Sequence, residues 1–343
     1  MTGTAANRLP PLTGLGCVVI GRNEGERLRR CIRSLSGRGL PIVYVDSGSA
    51  DDSVAFARDA GCRVVELDPA LPFTAARARN AGFAALAAAG ADLAFVQFVD
   101  GDCEIDSDWL TAGVAHLRQH PELGIVCGRQ REERPTRNIF HRLFDIEWDA
   151  PIGPGAHCTG NTMVRASRFA ELGGFRDDLI AGEEPELCVR MRMQGAEVER
   201  LDVAMATHDA NMTRFRQWWR RSVRAGHAYA EGARQHGRGS ERHNVRAGRR
   251  IVVFGLALPT VVVATTAVAG PIGLVPSTLY ALSMARTFRH YRARGLSRRV
   301  AVSAAGMMTL GRFAEAQGWL GYHWARAIGR RRELIEYRGS AAR

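Results

Sequence analysis

The sequence predicts an α/β fold built on a mainly parallel sheet, and three observations carry that expectation. Short apolar runs alternate with segments of helical periodicity across residues 15–120, the pattern of strand–helix units. The runs "LGCVVI", "PIVYV" and "DLAFVQFV" have strand length and read as buried strands. Two of them stop at an aspartate, Asp46 and Asp100. In open α/β sheets, ligands bind outside the carboxyl ends of the strands.

Residues 15–20 read as the first strand, and Leu28, Ile32 and Leu35 then recur at helical spacing. The plan repeats with a strand at 41–45 and a helix from Ser53, for which Ser49, Asp51 and Asp52 are candidate N-caps. A strand at 62–67 precedes the helix "ARARNAGFAALAAAG", and a strand at 92–99 precedes "DWLTAGVAHLRQH". After residue 129 the pattern loosens: "GRQREERPTRN" reads as a charged loop and "DAPIGPGAHCTGN" as irregular chain. "RASRFAELGGF" reads as a short helix. "EEPELCVRMRMQGAE" reads as a longer one, with Leu187, Val189 and Met191 able to face inward. "EVERLDVAMATHD" alternates as a strand ending at His208, and composition shifts near residue 212 to a Trp/Arg-rich stretch.

The 343 residues are 46% hydrophobic and 24% charged, a globular balance. A formal net charge of +12 attracts anions, whether nucleic acid, anionic lipid or phosphorylated substrates. Lysine is absent; every basic side chain other than histidine is arginine. That excludes lysine Schiff-base chemistry and any phosphate loop that depends on a lysine. The seven cysteines are scattered without a C-x-x-C, which predicts reduced thiols in a cytoplasmic domain. "MTGTAANRLPPLTG" contains no apolar core segment, so no secretory signal is expected in it.

The segment "FVQFVDGDCEID" ends a strand in clustered acids: Asp100, Asp102, Glu104 and Asp106. Their repulsion must be relieved by solvent, protonation or a cation. Asp and Gly at a strand end also suit a turn. An apolar strand feeding the ligand-binding edge favours a hard divalent cation, Mg2+ or Mn2+, held by carboxylate oxygens. Phosphatases of the haloacid dehalogenase type share this spacing but need a downstream lysine, which this chain lacks. Glu183 and Glu184 open a helix, where acids suit the dipole and a general base is equally well placed. His208 is a candidate third metal ligand.

In order, "VVIGRNEGERLRRCIRSL", "VYVDSGSADDS", "AARARNAGF", "FVDGDCEID", "GNTMVRASRFAELGGF" and "GEEPELCVRMRMQG" resemble the blocks of family 2 glycosyltransferases with the GT-A fold. The resemblance covers roughly residues 15–210. It implies a nucleotide-diphospho-sugar transferase domain with a Rossmann-like sheet, a UDP- or GDP-sugar donor, a divalent metal and an inverting transfer. It places Arg22, Asn23, Glu24 and Asp46 at the base and ribose, and Arg79 in the block that supports the nucleotide. Gly160 and Asn161 open the block beside the nucleotide sugar. Asp100 and Asp102 match the D-x-D that holds ribose and metal-bound diphosphate, and His208 lies where some members add a metal ligand. Glu184 matches the general base, next to Glu183. Three departures stand out. Ser47 replaces a second acid, the base is Glu where Asp is usual, and "QWWRR" lacks the Q-x-x-R-W spacing of processive synthases. One sugar per encounter is therefore expected.

Residues 251–285 carry no charge. One helix of that length would run about 50 Å, beyond a bilayer core of about 30 Å. Two passes turned at Gly270-Pro271 would each have about 17 residues. Arg246, Arg249 and Arg250 border one end, and Arg286, Arg289, Arg292 and Arg294 the other, which puts both borders on the cytoplasmic side. Within 299–321, Arg312 and Glu315 are expected to pair at i,i+3 in an interfacial or packed helix. The basic, aromatic stretch before the apolar run suits nucleic acid. Its position favours instead an interfacial helix, with Trp218 and Trp219 at headgroup depth and Arg220 and Arg221 on lipid phosphates or the acceptor.

Four regions are expected: an extension (1–14), a catalytic domain (15–211), a Trp/Arg-rich interfacial segment (212–250), and a hydrophobic hairpin with a helical tail (251–343). The expected function is a metal-dependent inverting glycosyltransferase at the cytoplasmic face of the membrane. Its acceptor would be a lipid-linked saccharide in cell-surface polysaccharide or glycolipid synthesis, with no nucleic-acid partner. A catalytically silent membrane scaffold and a nucleotidyltransferase are the alternatives. The acids at 100, 102 and 184 argue against the first, and the missing lysine-bearing phosphate loop against the second.

Overall fold

The computed structural model describes residues 12–90 and 92–330. Residues 1–11 of the expected extension and 331–343 of the expected tail lie outside the described residues. The described chain forms two compact units: residues 12–135, 144–178 and 183–210, and residues 136–143, 179–182 and 211–330.

Strand β1 (Leu15–Gly21) leads to α1 (Glu26–Leu35), β2 (Ile42–Asp46) to α2 (Ser53–Asp59), and β3 (Arg63–Glu66) to α3 (Ala75–Ala88). β4 (Phe95–Asp100) passes through the short β5 (Cys103–Ile105) to α4 (Trp109–Gln119). There follow β6 (Leu123–Glu132), α5 (Ile139–Trp148), β7 (Gly153–Pro154), β8 (Thr162–Arg165), α6 (Ala166–Glu171), α7 (Glu183–Met193) and β9 (Glu197–His208). The strands form one sheet in the order β3-β2-β1-β4-β8-β6-β9-β5, with β7 on β9. β3, β2, β1 and β4 run parallel, as strand–helix units require. Beyond β4 the sheet is mixed: β8 lies antiparallel to β4 and β6, β5 antiparallel to β9, and β6 parallel to β9. β8 is entered from an irregular loop, so no crossover helix imposes a parallel approach.

The core centres on β1 and β4, where Val18, Val19, Val96, Phe98 and Val99 are inaccessible to solvent, as strands covered on both faces require. α1 buries Leu28, Cys31, Ile32 and Leu35, the periodic set. Leu187, Val189 and Met191 of α7 are all buried. Of the candidate caps for α2, Asp51 bonds the helix start: its Oδ1 accepts from the Ser53 N–H at 3.1 Å. All seven cysteines are free and buried. The expected loop from residue 128 is overturned at its start. Residues 128–132 are strand, not loop, because β6 continues until Glu132 pairs with His208. Gly128, Gln130 and Glu132 are buried while Arg129 and Arg131 face outward, so a half-solvated strand carried the charge that suggested a loop.

The second unit contains α8 (Phe215–His236), α9 (Val245–Ile251), a π-helical stretch (Val252–Ala257), α10 (Leu258–Ala269), a 3-10 stretch (Gly270–Ser277), α11 (Thr278–Ala293) and α12 (Arg298–Ala327). Gln217 starts α8, its Oε1 accepting from the N–H groups of Thr213 at 3.0 Å and Arg214 at 2.9 Å. α8 and α12 meet backbone to backbone: a Cβ on Gly226 would lie 2.0 Å from Glu315 O, and one on Gly318 would lie 1.9 Å from Val223 O. The expected headgroup position of Trp218 is overturned. Its indole is buried against Gly311 of α12 and beside Phe215, because the helix partner takes that face. Trp219 is half-buried and donates from Nε1 to Gln317 Oε1 at 2.9 Å; Arg220 is exposed and Arg221 half-buried.

Val245–Ala293 is helical, apolar and long enough by length and composition to cross a membrane. It doubles back at Gly270, whose φ of +61° suits glycine. Thr265 Oγ1 donates to Gly273 O at 2.6 Å, and the Tyr280 hydroxyl to Phe254 O at 2.6 Å. Val263, Val268, Ile272, Val275 and Leu282 project outward, Val268 with 91% of its surface exposed. Arg312 and Glu315 form the expected i,i+3 pair at 2.7 Å.

Candidate active site

Register in the parallel half of the sheet aligns three strand ends: Gly21 pairs with Asp46, and Ile20 with Asp100. Two charged clusters form along this edge and its continuation into β5 and β9.

The first cluster centres on Arg79 of α3, a helix whose start is held by Thr74 Oγ1 accepting from the Arg77 N–H at 3.1 Å. The Arg79 guanidinium is buried. Its Nη1 lies 2.9 Å from Glu183 Oε1 and 3.0 Å from Glu184 Oε1, and its Nη2 lies 2.8 Å from Asp100 Oδ1. Burial opposes the charge on Arg79, but the three carboxylates outweigh it and hold its pKa above the ordinary value. Glu184 is pushed up to about 7 by burial and then by the charge of Glu183, against the pull of Arg79. The Glu184 side chain is 18% exposed and that of Glu183 only 5%. Glu184 is thus the more exposed of the pair, and a carboxyl raised to about 7 can take a proton near neutrality. Gly160 makes the cluster possible: a Cβ there would fall 2.5 Å from Arg79 Nη2 and 2.6 Å from Asp100 Oδ2.

The second cluster forms because β9 lies between β5 and β6, so His208 is paired with Cys103 on one side and Glu132 on the other. His208 Nε2 stands 3.2 Å from Asp102 Oδ2, and Nδ1 stands 3.4 Å from Glu132 Oε2. The Trp148 ring meets the imidazole edge-on, with centroids 4.6 Å apart. Asp102, Glu132 and His208 are all buried. Sequence reasoning missed Glu132. Its signal was the alternation of Gly128, Gln130 and Glu132 with two arginines.

A carboxylate oxygen facing an imidazole nitrogen is a donor pair that fits Mn2+ or Mg2+. The Cys103 thiol belongs to the same group, but burial and then the charges of Asp102 and Asp100 push its pKa well up. Its Sγ also takes an N–H from Asn161 Nδ2 at 3.1 Å, and a protonated thiol offers little to a hard cation. Of the three residues expected at a metal, Asp102 and His208 come together, whereas Asp100 turns its carboxylate to Arg79.

The residues expected at the nucleotide mostly build the walls of the edge. Asn23, at φ +54°, donates its N–H to Ser49 Oγ at 2.9 Å, and its Oδ1 accepts from the Ala50 N–H at 2.7 Å. Those bonds tie the loops after β1 and β2. The buried Asp46 carboxylate accepts from the Tyr44 hydroxyl at 2.9 Å and from the N–H groups of Gly48 at 2.9 Å and Ser49 at 2.7 Å. Glu24 is buried and pairs with Arg27 at 2.7 Å. Arg22 is the exposed member, its guanidinium 5.5 Å from the centroid of the Phe73 ring. Asn161 sits in the interior. Its Oδ1 accepts from the Asp100 N–H at 2.9 Å and its Nδ2 donates to Gln130 Oε1 at 3.0 Å, so it pins the strand end that carries Asp100.

This sheet edge sets a buried carboxylate pair on Arg79 beside a carboxylate–imidazole pair, and comparison with known proteins shows what the chain resembles. Residues 17–170 match the family model of glycosyl transferase family 2. Over 233 residues the chain is 31% identical to the pre-mycofactocin glycosyltransferase of Mycobacterium tuberculosis, a match covering 63% of this chain and 46% of that protein. It is 25% identical over 173 residues to glycosyltransferase AglE of Haloferax volcanii, covering 47% of this chain and 55% of that one. The chain therefore spans about half the length of these curated relatives. The fold is GT-A. A mannosyltransferase from Pyrobaculum calidifontis, solved in complex with GDP-Man and Mn2+, matches with a TM-score of 0.58 at 20% identity, covering 89% of this chain and 90% of that one.

Proposed function

We propose that this chain is a membrane-associated, metal-dependent, inverting glycosyltransferase. It moves a sugar from a UDP- or GDP-sugar to a hydroxyl of a lipid-linked saccharide in cell-surface polysaccharide or glycolipid synthesis. The observation that carries this reading is the division of labour along one sheet edge. Glu184 is open to substrate with a pKa of about 7, and a separate Asp102–His208 pair suits a cation. The names of the two curated relatives and the GDP-Man and Mn2+ of the fold neighbour support the donor class and the metal.

In this mechanism Glu184 takes the proton of the acceptor hydroxyl as that oxygen attacks the anomeric carbon, opposite the departing nucleoside diphosphate. Arg79 holds Glu184 and Glu183 on one guanidinium and fixes where the accepting oxygen lies. Asp100, with 34% of its side chain exposed, faces the donor from the other side of Arg79. Arg22 over Phe73 offers a flat cationic surface at the base. Mg2+ or Mn2+ held by Asp102 and His208 would neutralise the leaving diphosphate. A displacement with one base inverts the anomeric centre.

The membrane part rests on the hairpin. From Arg250 to Gly270 an α-helical rise amounts to about 30 Å, a bilayer core thickness. The outward valines and leucines suit lipid, and arginine at both borders keeps both ends on the cytoplasmic side. The test is turnover, or protection from thermal unfolding, with a panel of nucleotide sugars with and without Mn2+. Indifference to every nucleotide sugar, in either condition, would overturn the proposal.

A further inference from the structure

Glu132 has no place in the displacement, yet it is a fully enclosed carboxylate at the end of β6, fixed by the Ala210 N–H at 3.3 Å and 3.4 Å from its two oxygens. Its Oε2 faces His208 Nδ1 at 3.4 Å, while the other imidazole nitrogen faces Asp102 at 3.2 Å. A neutral imidazole carries one N–H, so it can donate to one of two flanking carboxylates. An imidazolium would donate to both, whereas a histidine that ligates a cation on the Asp102 side is neutral and keeps its one N–H for Glu132. Sheet register holds both contacts: Glu132 and Cys103, the neighbour of Asp102, are paired with His208 from opposite sides. Trp148 packs edge-on against the ring and limits its rotation.

We infer that Glu132 is a positioning residue that accepts the His208 Nδ1–H and thereby leaves the Nε2 lone pair aimed at the Asp102 side, where a divalent cation is bound. This rests on the metal reading of the Asp102–His208 pair. A carboxylate behind a ligating histidine fixes its tautomer and ring orientation, and its loss lowers metal affinity by about 10–100-fold.

The experiment is Mn2+ titration of the full-length, detergent-purified protein by electron paramagnetic resonance, followed by electron spin-echo measurement of nitrogen coupling to the bound ion. Wild type is expected to show an imidazole nitrogen coupling, and His208→Ala to lose it. Glu132→Gln should bind Mn2+ about 10–100-fold more weakly with the nitrogen coupling diminished. Glu132→Asp, which keeps the charge, should recover part of both and guards against a Gln variant that fails to fold. Unchanged affinity and coupling in folded Glu132→Gln would overturn the positioning role. Bound Mn2+ without nitrogen coupling in wild type would overturn His208 as the ligand. Absence of Mn2+ binding in wild type would overturn the underlying metal reading, and this inference with it.

Discussion

Replacing Glu184 with glutamine removes the proposed base at nearly constant shape. Burial and the charge of Glu183 raise this carboxyl from its ordinary value to about 7, with Arg79 opposing. At pH 6 about a tenth of it is therefore ionised, and at pH 8 about nine-tenths. Wild-type kcat/KM should climb about tenfold per pH unit below that pKa and level off above it. Glu184→Gln should lose about 10²–10⁴-fold in turnover and also lose this acid limb, while binding donor nearly as before. Stability should move the other way. A folded pKa above the unfolded one means the native state holds the proton more tightly, so the stability linked to this group is full below the unfolded value and is lost as pH rises through about 7. The thermal midpoint of the variant should thus gain on wild type between pH 5 and pH 8. The assay is transfer rate and thermal midpoint across that range, in detergent and with saturating Mn2+. A variant that retains turnover, or a dead Glu183→Gln beside an active Glu184→Gln, would refute the assignment of the base.

Asp102→Asn should abolish turnover and Mn2+-dependent nucleotide binding with the thermal midpoint little changed; activity of wild type in excess chelator would speak against any metal. Gly160→Ala places a methyl within 2.6 Å of Asp100 and 2.5 Å of Arg79, so it should cost about 1–3 kcal/mol by denaturant unfolding and displace the Arg79 cluster, lowering turnover further than the stability loss alone explains. The protein should stay in the membrane fraction through high-salt washing and need detergent for release, since salt screens the arginine borders but not an inserted apolar hairpin. Recovery in the salt wash would reduce the hairpin to a peripheral contact.

Much of the fold was legible in the sequence because strand–helix alternation and helical periodicity are local. Leu28, Ile32 and Leu35 announced the buried face of α1, and Asp46 and Asp100 announced strand ends. Gly270-Pro271 marked the reversal of the apolar stretch, and the spacing of Arg312 and Glu315 their ion pair, since turn chemistry and i,i+3 contacts need no distant partner. What only tertiary structure decided depends on neighbours far along the chain. Asp100 and Asp102 look equivalent as D-x-D. They part because α3 brings Arg79 to one while β9 brings His208 to the other. Glu132 read as part of a charged loop until pairing with β9 buried it behind the imidazole. Trp218, in an arginine-rich helix, read as a lipid-facing residue until a glycine of α12 was found beneath it. An amino-acid pattern states what a side chain can do. The contact that selects one of those uses is made by residues some twenty to over one hundred positions away.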